Sequence, residues 1–365
     1  DRNRTRDADR IVGNIHSLDG HGRWDILVGN AAQIDLTRIE PVTAYSDRDG
    51  RNGVVRVLHT PNHRGVKGSE FLVAAVDRLR DEGLQIEQVV ARGERVEART
   101  EFEWQGDSRL TKIRRDGARV TSFEHDGQGR LAAAHRADGT TQWRAPGPSG
   151  NLFKTPERRD RRYGKGGVLL QDDRAKYAYD PDGNLMKKME PDGSTWVYEW
   201  NGAGMLAAVL KPDGTKVEFQ YDALRRRVKK SVGETSTRWV WDANTPIHEV
   251  TREGTTTWVF NPGTFAPLGK IAPDGKKYGV VTDYLGTPTE MFDEAGKLAW
   301  KAQLDIYGVA KLTEGLAQDC PWRWPGQYED AETGLYYNRF RYYDAGRGDY
   351  ASQDPIRLRG GPTSY

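Results

Sequence analysis

Along most of this chain aromatic and polar residues alternate in short bursts that end on a turn residue, as in YAYD at 177–180, YEWN at 198–201, FQYD at 219–222 and WVWD at 239–242. Alternation with a period of two predicts strands buried on one face. The terminal residues form a series: Gln105, Asp126, Gly147, Asp180, Asn201, Asp222 and Asp242. They are 21 residues apart, 20 at the last step, with one longer step from 147 to 180. A fixed motif at a fixed period marks a repeat architecture. A glycine commonly stands three residues after the anchor. Asp-Gly pairs at 116–117, 138–139, 192–193 and 213–214 follow 11 or 12 residues after their anchors. Asp-Gly between alternating runs signals a hairpin, so each unit predicts two short strands and two turns. The fold class is therefore mainly β, an antiparallel sheet that grows by stacking hairpins. Each anchor Asp lies beside a turn, which assigns its side chain to capping backbone N–H groups rather than to catalysis. The longer step is filled by the basic insertion FKTPERRDRRYGKGG, expected as a surface loop.

Residues 1–93 have a different texture. VVRVLHT at 54–60 reads as a strand, and LQIEQVVA at 84–91 as another. Between them Leu72, Ala75, Val76 and Leu79 fall on one face of a helix, with Ser69 placed to cap its start and Gly83 its end. Strand, helix, strand is the unit of a parallel sheet. The loop PNHRGVKG joins a strand end to a helix start, where backbone N–H groups favour anions. Together with IDLTRIEPV this region resembles part of the nucleotide-sugar domain of retaining two-domain glycosyltransferases. That resemblance implies contacts from Arg64, Lys67 and Gly68 to a donor diphosphate. The later strands and the acidic donor-binding half that such an enzyme needs are missing, so a remnant α/β segment is expected in place of a working transferase.

Composition narrows the function. Hydrophobic residues make up 36% and charged residues 30%, with 41 Gly, 17 Pro, 11 Trp and 16 Tyr, a polar and turn-rich chain whose aromatics suit sheets. A net charge of +2 gives no basic face for nucleic acid. Cys320 stands alone, which excludes an intrachain disulfide and a Cys-paired zinc site; no metal or cofactor is expected. No apolar run reaches the ~18 residues of a membrane span, and the N-terminus shows no signal peptide. The chain begins at Asp1 without a Met, and it is expected to be a piece of a longer reading frame.

The C-terminal third carries the most specific pattern. From Tyr278 to Val309 the order is Asp283, Leu285-Gly286-Thr287-Pro288, an acidic turn, Trp300 and Gly308; residues 321–365 follow, dense in Tyr, Trp, Gly and Asp and closing on Asp354-Pro355. With the repeats, residues 94–365 resemble the Rhs/YD-repeat family, β-shell proteins that carry C-terminal toxins. The resemblance implies repeats over 94–277 and a core and closing segment over 278–365. It also implies a toxin partner beyond this chain, upstream shell and secretion-system components, and a secreted or cell-surface location as part of a larger protein.

In the family the closing segment is an aspartic-type self-protease that cuts after its second Asp-Pro motif. Two carboxylates sharing a proton divide the work, one activating water and the other protonating the scissile carbonyl. By position Asp354 matches the second acid, and Asp330 or Asp344 the first; the matching scissile bond joins Leu358 to Arg359. The chain departs from the motif at Ala345, at Gly348-Asp349-Tyr350 and at Arg357. A cation at 357 favours both acids ionised, against the shared proton. Turn-capping acids in a closing plug are the alternative role.

Geometry limits what the fragment encloses. At ~16 Å² per sheet residue, residues 94–365 cover at most ~4,300 Å², a sphere ~13 Å in inner radius. A 100-residue toxin has a radius of gyration of ~13 Å and needs more room. The chain is thus expected as the closing end of a larger shell. A carbohydrate-binding β-repeat module is the alternative, and it would expose aromatics in rows where a shell turns them inward.

Overall fold

The computed structural model describes residues 11–12, 26–28, 54–59, 85–92, 95–105, 109–115 and 119–356 apart from Ser149. The helix expected over 69–83 lies outside these residues, as do Arg64, Lys67 and Gly68 in the loop before it. The chain divides into two compact units, residues 1–143 and 144–365.

The first unit is one nine-stranded sheet in sequential order. Val54–His59 pairs in parallel with Gln85–Arg92, Val54 opposite Gln85, as expected of the two strands of that unit. Gln85–Arg92 then pairs antiparallel with Arg95–Gln105, so the α/β segment and the first hairpin repeat share one sheet. That pairing covers the strand edge that a half-built parallel sheet would leave open.

The second unit is built on a sixteen-stranded antiparallel meander, from Arg162–Tyr163 to Ala310–Glu314, each strand pairing with the next. The turns of both units follow one plan. At Asp126, Gly147, Asp180, Asn201 and Asp222, and at Asp283, Asp293 and Asp305 further on, the N–H of residue i donates to the carbonyl of i+4, and the N–H of i+3 donates back to the carbonyl of i. The Asp-Gly turns at 192–193 and 213–214 have the same closure, counted from Glu190 and Lys211. This is a three-residue loop ending in a left-handed residue. Gly183 and Gly204 fill that position with φ of 81° and 71°, and at the Asp222 turn Arg225 adopts it at 59°.

The anchors Asp126, Asp180, Asn201 and Asp222 cap, as their position predicted. Asn201 Oδ1 accepts from the N–H groups of Ala203 and Met205, and Asp222 Oδ1 from those of Leu224 and Arg226.

Alternation places one face of the meander in the core. In Lys216–Tyr221, Val217 and Phe219 are buried while Lys216, Glu218 and Gln220 are exposed. The covering layer is a four-stranded sheet made of Tyr328–Asp330, Leu335–Asn338, Arg341–Asp344 and Asp349–Tyr350. Its paired tyrosines show why both faces are apolar. Tyr337 and Tyr342, opposite each other, join Phe219, Trp239, Trp258 and Trp300 in the main core, while Tyr336 and Tyr343 form a second cluster with Ala345. Successive strand residues point to opposite faces, so a Tyr-Tyr step in a two-sided layer buries both rings.

The basic insertion is not a free surface loop. Arg158 and Arg159 at its tip are exposed, but Arg161 is buried and donates to the carbonyls of Leu152 and Arg347, and Lys154 Nζ donates to Gly346 O at 2.5 Å. Its two ends are held by the closing segment through contacts almost 200 residues apart, which local sequence does not reveal.

Candidate functional site: the closing segment

Residues 320–356 lie against the meander, and the contact is polar as well as aromatic. Arg227, on the strand Arg227–Val232, is buried with its guanidinium carbon 4.3 Å from the Trp239 ring centroid and 4.4 Å from that of Tyr337. Rings on this scale hold a desolvated cation with up to about 2 kcal/mol each. Arg227 Nη1 pairs with Asp330, which is fully buried, and Lys230 Nζ reaches the same carboxylate at 3.1 Å and Glu332 at 2.7 Å. Two cations meeting two carboxylates compensate the burial, whereas removing one member leaves an uncompensated charge.

Further hydrogen bonds fix the layer strand by strand. The Tyr221 and Tyr342 hydroxyls lie 2.9 Å apart, and the N–H of Arg227 donates to Tyr337 Oη at 2.9 Å. Tyr328 Oη donates to Glu249 Oε2 at 2.9 Å, and Trp258 Nε1 to Glu249 Oε1 at 2.6 Å. Burial raises the Glu249 carboxyl above its ordinary value, against the opposing pull of those two hydrogen bonds and the charges of Lys230 and Lys270. On the other face Tyr336 and Tyr343 donate to the carbonyls of Gly308 and Tyr307. A Cβ on Gly348 would collide with the Tyr307 ring, and Gly348 has φ of 74°, so both the space and the backbone there require glycine.

The candidate acids occupy separate settings. Asp330 is held by Arg227 and Lys230 as described. Asp354 Oδ2 pairs with Arg341 Nη2 at 2.9 Å, and its Oδ1 accepts from the N–H of Ile356 at 2.9 Å, capping the turn. Asp344 Oδ1 accepts from the N–H of Arg347 at 3.1 Å. The cross-strand register partner of Asp344 is Asp349, at a position where the sequence departs from the family pattern. Burial raises the Asp349 carboxyl; Arg347, the N–H of Tyr350 and Arg161 pull it back, and the charge of Asp344 adds to the rise. The described arrangement therefore brings Asp344 into register with Asp349, while Asp330 and Asp354 have different partners. Leu358, Arg359 and Arg357 lie outside the described residues. Ala345 is buried in the second tyrosine cluster.

Arg347 was not identified from sequence. Buried beside Asp349, it lies over the Tyr177 ring at 4.9 Å and donates to Tyr179 Oη at 2.8 Å, tying the 345–348 turn to the first strands of the meander. The only hint was one arginine in a run of Gly and Asp. Among the described residues no group of His, Cys, Asp and Glu has the composition of a metal site, and no helix is long and apolar enough to cross a membrane.

Comparison with known proteins follows the same outline. Residues 79–358 match the family model of the Teneurin YD-shell. The chain is 31% identical over 280 residues to the double-stranded DNA deaminase toxin A of Burkholderia cenocepacia strain H111, covering 67% of this chain and 20% of that protein. It is 31% identical over 320 residues to the toxin protein Tse5 of Pseudomonas aeruginosa, covering 72% of this chain and 24% of the relative. The probable deoxyribonuclease RhsB of Dickeya dadantii strain 3937 is 32% identical over 214 residues, 54% of this chain and 15% of that protein. The chain thus spans a quarter or less of the length of these relatives. Among solved structures, a crystal structure of TcdB2-TccC3 without its hypervariable C-terminal region aligns over 78% of this chain and 20% of that one, with a TM-score of 0.39 and 14% identity.

Proposed function

Because the chain belongs to the Rhs/YD-repeat family, we propose that it is the closing end of a β-shell that encloses and delivers a toxin encoded downstream. One observation carries this reading: the aromatic face of the meander is spent on the closing segment. Tyr177, Tyr198, Phe219, Trp239, Trp258 and Trp300 are all buried, and among the described residues Phe265 and Phe340 are the exposed phenylalanines. A carbohydrate-binding module would present such rings in rows to solvent. The relatives named as toxins support a toxic cargo, and the cargo, the upstream shell and the secretion-system components are the partners this role requires. The protein would act outside the cell that makes it, secreted or held at the cell surface. Electron microscopy of the full-length protein tests the role. A closed shell with residues 320–356 as its plug is expected, and an open or solid particle would overturn it.

The same reading includes self-cleavage between Leu358 and Arg359, with Asp354 as one acid and Asp330 or Asp344 as the other. Its support is positional: Asp354 caps Ile356, two residues before Leu358. Sharing a proton requires Asp354 to leave Arg341 and Asp330 to leave Arg227 and Lys230. Intact mass of this chain with its native downstream sequence is the test. Loss of everything after Leu358 in the parent but not in Asp354→Asn is expected; an uncut parent, or a cut in both, removes the protease and leaves the plug.

A further inference from the structure

The two ends of the sixteen-stranded meander differ in the residues their turns present. Each strand pairs with the next, so alternate turns share an end. At one end the turns at 222–226, 261–266 and 283–287 expose Leu224 (62%), Phe265 (40%) and Leu285 (55%). At the other end the turns carry the exposed acids Asp192, Asp213, Glu234, Glu253 and Asp274. Charged tips are at home in water, whereas neighbouring apolar tips mark a surface that another chain covers.

A cavity of about 280 Å³ opens at the apolar end. Trp241, Phe260 and Trp322 wall it, and Phe265 and Phe340, the exposed members of its lining, mark the mouth. The arginines in the lining are engaged, Arg227 by Asp330, and Arg339 by Leu224 O at 2.9 Å and by the Phe340 ring at 4.5 Å. The remaining space suits an uncharged side chain. Apolar cavities of ~150 Å³ admit benzene, so a leucine side chain and part of its backbone have room here.

The chain leaves the closing sheet at this same end. Gln353 packs against the turn at 180–184, where a Cβ added to Gly183 would meet its side chain at 2.6 Å. Asp354 pairs with Arg341 at 2.9 Å, the Arg341 guanidinium carbon lies 3.7 Å from the Tyr350 ring centroid, and Asn338 Nδ2 donates to Tyr350 Oη at 2.8 Å. Asn338 lines the cavity, so three contacts join Asp354 to the cavity wall. Leu358 is four residues beyond Asp354, a reach of ~13 Å. It is the one branched aliphatic residue in 357–365, and it stands between Arg357 and Arg359. Side chains alternate along an extended segment, so a leucine turned inward leaves both arginines in solvent, clear of Arg339.

We propose that residues 357–365 dock across this apolar end and that Leu358 seats in the cavity, with the side-chain amides of Asn244 and Asn338 available to its backbone. Docking goes beyond cleavage and does not require it, because Leu358 precedes the bond between 358 and 359 and stays with the chain on either outcome.

The 365-residue chain tests the assignment. Phe340→Cys combined with Leu358→Cys should form a disulfide in a glutathione buffer, since docking brings the two Cα atoms within the ~7 Å that such a bond spans. Leu358→Cys combined with Asp274→Cys, at the far end, should not. In a second measurement Leu358→Asp should lower the urea midpoint as far as removal of residues 357–365 does, while Tyr365→Asp should match the parent. Intact mass of the same samples reports cleavage separately, so docking and cleavage can each fail alone. No disulfide with residue 340, an equal yield with residue 274, or a Leu358→Asp variant as stable as the parent would each overturn the docking of Leu358.

Discussion

Arg227 and Asp330, 103 residues apart, form a buried ion pair that joins the meander to the closing sheet. Neither charge has water to fall back on, since Arg227 is 1% exposed and Asp330 0%. Asp330→Ala leaves Arg227 uncompensated and should cost about 3–5 kcal/mol. Asp354→Asn, in a more accessible pair with Arg341, should cost about 1 kcal/mol or less. Urea unfolding of the two variants checks the difference; similar midpoints would show that the buried pair does not hold the plug. The small cost expected at Asp354 also means that the cleavage control remains folded.

Arg225 occupies a left-handed turn position that glycine fills in neighbouring repeats. Its backbone pays for a Cβ in that conformation, about 1 kcal/mol, while glycine adds some freedom to the unfolded chain. Arg225→Gly should therefore stabilise the second unit by about 0.5 kcal/mol, read as a raised unfolding midpoint. A lower midpoint would show that the exposed arginine side chain matters more than its backbone.

Much of this organisation was legible in the chain, and the limit has a physical origin. Asp126, Asp180, Asn201 and Asp222 announced their caps because a turn and the side chain that closes it lie within four residues of one another. The hairpins followed from alternation for the same reason. The run Arg225-Arg226-Arg227 shows where reading stops. Its three arginines go to a left-handed turn, an Asp222 ion pair and the buried core, respectively. Only the strand's alternation separates the third from the others, and what compensates its charge lies a hundred residues away. Lys154 and Arg161 looked like loop residues for the same reason. Asp349 read only as a departure from a motif until its register with Asp344 and its burial beside Arg347 were known.

Glu249 should make stability fall as pH rises. Burial lifts its carboxyl above 4.5 in the folded protein, so from about that pH up to the folded value the native state binds more protons than the unfolded one. In that window stability declines with increasing pH, by at most about 1.4 kcal/mol per pH unit for one group. In Glu249→Gln the amide oxygen can still accept from Trp258, the amide N–H can donate to Tyr328 Oη, and the titration is gone. The variant should gain on the parent between pH 4.5 and neutrality in denaturation series. Parallel profiles would contradict this.

Cys320 should report on the closure. Its thiol is fully buried beside Trp322 and is pushed up to about 12 by burial. The thiolate is the reactive form, so a native plug should leave it inert. Reaction with a thiol reagent should proceed only through opening and should accelerate strongly in Asp330→Ala. Rapid labelling of the parent would mean that this face is accessible in the folded state.

The measurement that bears most directly on a closed, cargo-carrying shell is protease protection in the full-length protein. Its downstream domain should survive protease doses that destroy the same domain in isolation, and Asp330→Ala, which loosens the plug, should restore digestion. Digestion in the intact parent at the rate of the isolated domain would contradict a shell closed by this segment.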